Sequence, residues 1–65
     1  MKYVILKQFI PGIDQIWVAK LDENDPLYAY DTLEEAEIKM AELQAADPSR
    51  GFKIVQMTVE QAIGL

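Results

Sequence analysis

The segments of this sequence that favour β-strands are apolar on both faces, yet only one stretch of the chain can form a long helix to cover them. In the first segment the apolar side chains alternate between two faces, Val4, Leu6 and Ile10 on one and Tyr3, Ile5 and Phe9 on the other. An antiparallel sheet with one solvated face alternates apolar and polar residues instead. We therefore expect a second cover, provided either by the C-terminal residues Ile63 and Leu65 or by another copy of the chain.

Three segments are rich in β-branched and aromatic residues, and we predict strands at residues 2–10, 15–21 and 52–59. The short connection at residues 11–14, which begins with Pro-Gly, makes the first two strands a hairpin. Residues 27–30 follow a polar turn and are interpreted as a brief edge strand or an extended lead-in to the helix. The order ββαβ predicts a single α+β domain over residues 1–65, with a small sheet of three or four strands and one packed helix.

The start of the helix is the clearest local signal in the chain. Thr32 and Glu35 have the spacing of a capping box, in which the threonine hydroxyl accepts the Glu35 amide and the Glu35 carboxylate reaches back. The helix is predicted from Leu33 to about Ala46, because the residue before Pro48 avoids the α region.

A second, weaker capping box begins at Thr58, with Gln61 three residues later. It predicts one short C-terminal helical turn, which Gly64 would close.

The composition argues against catalysis and against a cofactor or metal site. The chain contains no cysteine and no histidine, so it lacks thiolate ligands, the commonest metal ligand and the usual general base. Ser49, the single serine, has no partner to activate it. The acidic stretch at residues 22–25 does not continue as a calcium-binding loop, because Pro26 and Leu27 break the pattern. We therefore predict that the protein is not an enzyme.

The charge of −5 is unevenly distributed along the chain. Residues 22–47 hold nine acidic residues and one lysine, whereas the flanking segments are mildly basic. Binding to nucleic acid needs clustered basic residues. Four lysines could share the sheet, namely Lys2, Lys7, Lys20 and Lys53. With only six basic residues scattered over 65, we do not expect nucleic acid to be the partner.

Projection of the helix at 100° per residue separates a core face from an outer face. The predicted core face contains Leu33, Ala36, Met40 and Leu43. The outer face is acidic with a small apolar centre, and we predict that it binds a protein with a basic surface through Glu34, Glu35, Ile38, Glu42 and Ala45.

We also expect a homodimer, because the second face of the sheet needs a cover. Its predicted contact face consists of Tyr3, Ile5, Phe9 and Trp17. The register of the hairpin stays open, since an even loop places Trp17 with Val4 and Leu6 instead.

The apolar run near the N-terminus is four residues long. A signal-peptide core needs about 7–15 apolar residues and a membrane span about 20. We therefore expect a cytoplasmic protein without membrane contact.

Residues 30–37 read Tyr-Asp-Thr-Leu-Glu-Glu-Ala-Glu and lead through residues 43–48 to a closing strand at residues 52–55. In this order the chain resembles small bacteriophage and bacterial ββαβ accessory proteins, in which a hairpin precedes an aromatic-x-Thr-x-Glu-Glu-Ala helix. It is also similar to the ββα arm-binding domains of phage integrases, whose sheet is more basic. A further similarity is to half of the peptidoglycan-binding SPOR fold, although this chain is too short for both halves.

These observations predict a non-catalytic protein–protein interaction module. The resemblance implies an accessory protein of a phage or mobile element that binds or inhibits a host protein through its acidic helix. Two alternatives remain, a nucleic-acid-binding domain that uses the sheet face and a structural subunit of a larger assembly.

Overall fold

The computed structural model describes residues 1–65 and contains an antiparallel sheet of four strands with two helices. The elements in chain order are β1 (Lys2–Gln8), β2 (Trp17–Val18), β3 (Ala29–Tyr30), α1 (Leu33–Ala46), β4 (Phe52–Met57) and α2 (Val59–Ile63). The predicted α+β class, the ββαβ order, the fourth strand and the short C-terminal turn are confirmed.

Strand β1 pairs with every other strand of the sheet. β4 runs antiparallel to it along Lys2–Lys7 and occupies one whole edge. β2 and β3 therefore share the other edge, with β2 opposite Lys7 and Gln8 and β3 opposite Tyr3 and Val4. Because it is flanked on both sides, β1 is buried continuously from Val4 to Gln8.

The shared edge explains why β2 is shorter than predicted. β3 occupies the edge beside Tyr3 and Val4, so only two residues of the predicted second strand pair with β1. The register places Trp17 opposite Gln8 and hence on the same face as Leu6, where Trp17 packs against the core. This observation settles the hairpin register that the sequence left open.

Helix α1 links two parallel strands across the central one. β3 and β4 are both antiparallel to β1, so they are parallel to each other, and β3–α1–β4 forms a split β-α-β unit. α1 lies on the face of β1 that carries Ile5, and both Ile5 and Ala36 of α1 are fully buried.

The opposite face of the sheet is covered by α2 and by the segment between β2 and β3. Its core consists of Val4, Leu6, Ala19 and Ala62, with Leu27 packed against them. The C-terminal cover is therefore present, but the expectation that Ile63 and Leu65 supply it is wrong. These side chains remain 64% and 55% exposed, because the one-turn helix α2 turns its small residue Ala62 toward the sheet.

The two helix starts form different sets of capping hydrogen bonds. At α1 the Thr32 hydroxyl accepts the Glu35 amide, but the Glu35 carboxylate accepts the Thr32 hydroxyl at 2.8 Å rather than a backbone amide. At α2 both bonds of the capping box between Thr58 and Gln61 are formed. The box predicted to be weaker is thus the complete one.

An ion pair between the buried Lys7 and the partly buried Asp25 holds the segment between β2 and β3. Lys7 Nζ donates to Asp25 Oδ2 at 2.7 Å, and the same oxygen accepts the Leu21 amide at 2.8 Å. The Lys7 ammonium also lies 5.1 Å from the centre of the Tyr28 ring. Burial raises the pKa of Asp25, but the hydrogen bonds from Lys7 and Leu21 outweigh it and the net pKa lies below the usual value of 3.8.

We predict that Asp25→Asn destabilises the fold by about 2–3 kcal/mol, because it leaves the Lys7 ammonium buried without a counter-charge. The matched control is Asp31→Asn, since the Asp31 pair with Lys2 is exposed and should contribute less than about 1 kcal/mol. Urea unfolding at neutral pH measures both changes, and equal effects would contradict this assignment.

The same pair predicts a pH dependence at the acidic end. The pKa of Asp25 is lower in the folded chain than in the unfolded chain. Its contribution is therefore present above the unfolded pKa, and it is lost as the pH falls from about 3.8 through the folded pKa. Asp25→Asn should remove this part of the acid sensitivity in urea unfolding measured from pH 5 downward.

Candidate protein-binding surfaces

The outer face of α1 is exposed along its whole length, as the sequence predicted. The structure brings the five predicted partner-binding residues to one solvent-facing side of the helix: Glu34, Glu35, Ile38, Glu42 and Ala45. Ile38 lies at its middle and is 60% exposed. We call these five residues the acidic helix face.

None of the glutamates on the acidic helix face forms an ion pair. The three ion pairs of the structure all use aspartates outside α1, namely Asp25, Asp31 and Asp47. The last turn of α1 contains no basic residue. The negative charge of this face is therefore uncompensated within the chain.

The lysines, in contrast, are engaged with groups of the chain itself. Lys2 pairs with Asp31, and Lys7 is buried against Asp25. Lys53 lies 4.4 Å from the centre of the Trp17 ring, and Lys20 Nζ donates to the Glu23 carbonyl at 3.3 Å. The four lysines that could have formed a basic sheet surface are thus divided among separate contacts.

The predicted oligomer face is not a single surface. Ile5 is fully buried beneath α1, and Tyr3 shares its side of β1. Trp17 packs on the opposite side, against Val4 and Leu6. Phe9 lies beyond the end of β1. The grouping was wrong because it assumed the odd register of the hairpin and an uncovered sheet face.

Sequence reasoning missed an apolar loop between β1 and β2. Its four large apolar side chains are each 44–50% exposed: Phe9, Ile10, Ile13 and Ile16. The signal that could have revealed it is the Pro-Gly turn inside an apolar run, because hairpin turns are ordinarily polar. We call residues 9–16 the apolar loop.

Backbone hydrogen bonds form a turn at the tip of the apolar loop and close its base. The Ile13 amide donates to the Ile10 carbonyl at 3.0 Å across a turn in which Pro11 precedes Gly12. Gly12 has a φ of 83°, the conformation that a type II turn requires at this position. At the base of the loop, the Phe9 amide donates to the Ile16 carbonyl at 3.0 Å.

Two polar side chains connect the apolar loop to the rest of the fold. Gln8 Oε1 accepts the amides of Gly12 at 2.9 Å and Gly51 at 2.7 Å. The Arg50 guanidinium donates to the carbonyls of Gln8 and Phe9, and also to Asp47. The hydrogen bond from Arg50 lowers the pKa of Asp47 below its usual value. The end of α1 and the apolar loop are therefore connected through Arg50.

The structure contains no pocket and no group of three or more side chains placed to hold a metal ion. Neither helix has the length and hydrophobicity that a transmembrane helix requires. Comparison of the chain with protein-family models, curated proteins and solved structures gives no significant match.

We predict that Gly12→Ala destabilises the fold by about 1 kcal/mol, because a side chain at positive φ is strained even where space is free. Gly64→Ala is the matched control. Gly64 has a φ of −77° and ordinary clearance for a methyl group, so this change should be neutral or stabilising by a few tenths of a kcal/mol. Thermal unfolding measures both, and a loss of stability only in Gly64→Ala would contradict the turn assignment.

Proposed function

We propose that this protein is a non-catalytic module that binds a partner protein with a basic surface through the acidic helix face. One observation carries the proposal. Ile38 is 60% exposed, and the glutamates around it have no ion-pair partner within the chain. A partner with an apolar spot ringed by lysine or arginine would complement both features.

The size of the apolar centre sets the strength of this contact. Complete burial of an isoleucine side chain contributes roughly 1.5–3 kcal/mol, so the exposed part of Ile38 supplies about 1–2 kcal/mol. Uncompensated glutamates accelerate encounter with a basic partner more than they add affinity. We therefore expect fast, salt-sensitive association.

The contacts of the lysines favour a protein over a nucleic acid as the partner. Phosphate binding depends on several basic side chains that release counterions together. Here Lys7 is buried in an ion pair and Lys53 is held over Trp17. A sheet-based nucleic-acid interface would have to break these contacts first.

The setting that we propose follows from the resemblance of residues 30–37 to the helix start of small phage and bacterial accessory proteins. In that setting the chain acts in the cytoplasm as an accessory protein that binds or inhibits a host protein. We also propose that it acts as a homodimer. Because both faces of the sheet are covered within the chain, the dimer has to use a different surface.

We predict that Ile38→Asp weakens capture of the partner at least tenfold and leaves the helical circular dichroism signal unchanged. Ile63→Asp is the matched control, because Ile63 is similarly exposed but lies on α2. Immobilised chain would capture proteins from a lysate of the native host at increasing salt. The captured protein would then be purified and its affinity for each variant measured by calorimetry. If both variants bind as the parent chain does, or if affinity does not fall with salt, the acidic helix face is not the binding surface.

A further inference from the structure

The outer edge of β4 is an unpaired strand edge. The Gln8 amide of β1 donates to the Gly51 carbonyl, so the backbone groups of Gly51 point toward β1. In an antiparallel pair, every second residue along a strand points its amide and carbonyl to the same side. The backbone groups of Lys53, Val55 and Met57 therefore also point toward β1. The amides and carbonyls of Phe52, Ile54 and Gln56 therefore point away from the sheet. No hydrogen bond from backbone or side chain reaches these groups.

This edge lacks the features that usually prevent pairing between sheets. Exposed edges are ordinarily blocked by lysine, proline or a bulge. β4 is a regular six-residue strand without proline, and Lys53 is its only charged residue. The Lys53 ammonium lies over the ring of Trp17. Trp17 belongs to β2, which pairs with the edge of β1 opposite to β4. The charge of Lys53 is therefore directed away from the outer edge of β4.

Helix α1 has Lys39 on the flank nearer β3, where its ammonium lies 5.4 Å from the Tyr28 ring. On the helical wheel Leu33 lies on the other flank of the buried Ala36. Leu33 belongs to the predicted core face, yet it is 45% exposed in the first turn of α1.

We propose that the β4 edge binds the β4 edge of a second copy of this chain, in antiparallel orientation, and joins the two sheets into one. This proposal gives the proposed homodimer its interface. It does not depend on the acidic helix face.

The residues of β4 make the edge self-complementary. With the two-fold axis at Ile54, this residue pairs with its own copy and Phe52 pairs with Gln56 of the second copy. All outward groups of both strands are then used, in about six backbone hydrogen bonds. In this register Lys53 lies opposite Val55 of the second copy, so the two lysines do not face each other. An identical strand therefore satisfies the edge without a buried charge or a like-charge pair.

Hydrogen exchange measured by NMR at low and high protein concentration tests the pairing directly. We expect the amides of Phe52, Ile54 and Gln56 to exchange at least about tenfold more slowly at high concentration. The amides of Lys53 and Val55 are internal controls, because their bonds to β1 exist in one copy. If light scattering shows a dimer but the three outward amides stay unprotected, the interface lies elsewhere. A monomer at all concentrations would overturn both the homodimer and this interface.

A pair of variants tests the same edge without isotope labelling. Gln56→Pro removes one outward amide and no bond to β1, so we expect it to raise the dimer dissociation constant at least tenfold. Gln56→Ala keeps that amide and should change the constant less than about twofold. Equal effects of the two changes in sedimentation equilibrium would contradict backbone pairing at this edge, provided that circular dichroism shows both variants folded.

The salt dependence of the dimer should differ from that of partner binding to the acidic helix face. Two copies with a charge of −5 each repel one another, so added salt should strengthen the dimer. Binding of a basic partner to the acidic helix face should weaken under the same conditions. A dimer that dissociates as salt rises would contradict pairing driven by backbone bonds and apolar contact.

Discussion

The pairing of β1 with all three other strands is the constraint on which the rest of the structure depends. β1 has five consecutive buried residues, so both of its faces and both of its edges must be covered. α1 covers Ile5, whereas α2 and the β2–β3 segment cover Val4 and Leu6. The one ionised group on the buried stretch, Lys7, requires Asp25 beside it. These 65 residues thereby form a two-sided core, and with no cysteine in the chain they do so without a disulfide.

The parts of this fold that depend on local signals could be predicted from the sequence. The bounds of α1 follow from Thr32 at its start and from Pro48 beyond its end, and both act within a few residues. The short extent of β2 could not be predicted in the same way. It depends on β3 taking part of the same edge of β1, which is a contact between residues distant in the chain.

The candidate surfaces also differ in whether they depend on local sequence or on contacts between distant residues. The acidic helix face follows from helical periodicity, so the sequence alone is enough to place Ile38 on it. The β4 edge could not be recognised, because only the strand order shows that β4 pairs with β1 alone and keeps its outer edge free along six residues. The order in the apolar loop also depends on distant groups, since Gln8 and Arg50 hold it through bonds to residues up to 43 positions away. The charge pattern and helical periodicity of the sequence are enough to identify the acidic helix face. The strand order of the folded sheet is needed to show which backbone amides and carbonyls have no partner.

A single chain covers both faces of its own sheet and leaves the acidic helix face and the outer edge of β4 exposed. Relaxation of methyl protons by a soluble paramagnetic chelate, measured on dilute monomeric chain, tests this claim most directly. We expect weak relaxation for the methyl groups of Val4, Ile5 and Leu6 and strong relaxation for those of Ile38. Relaxation of Val4 and Leu6 as strong as that of Ile38 would show an open sheet face and contradict the claim.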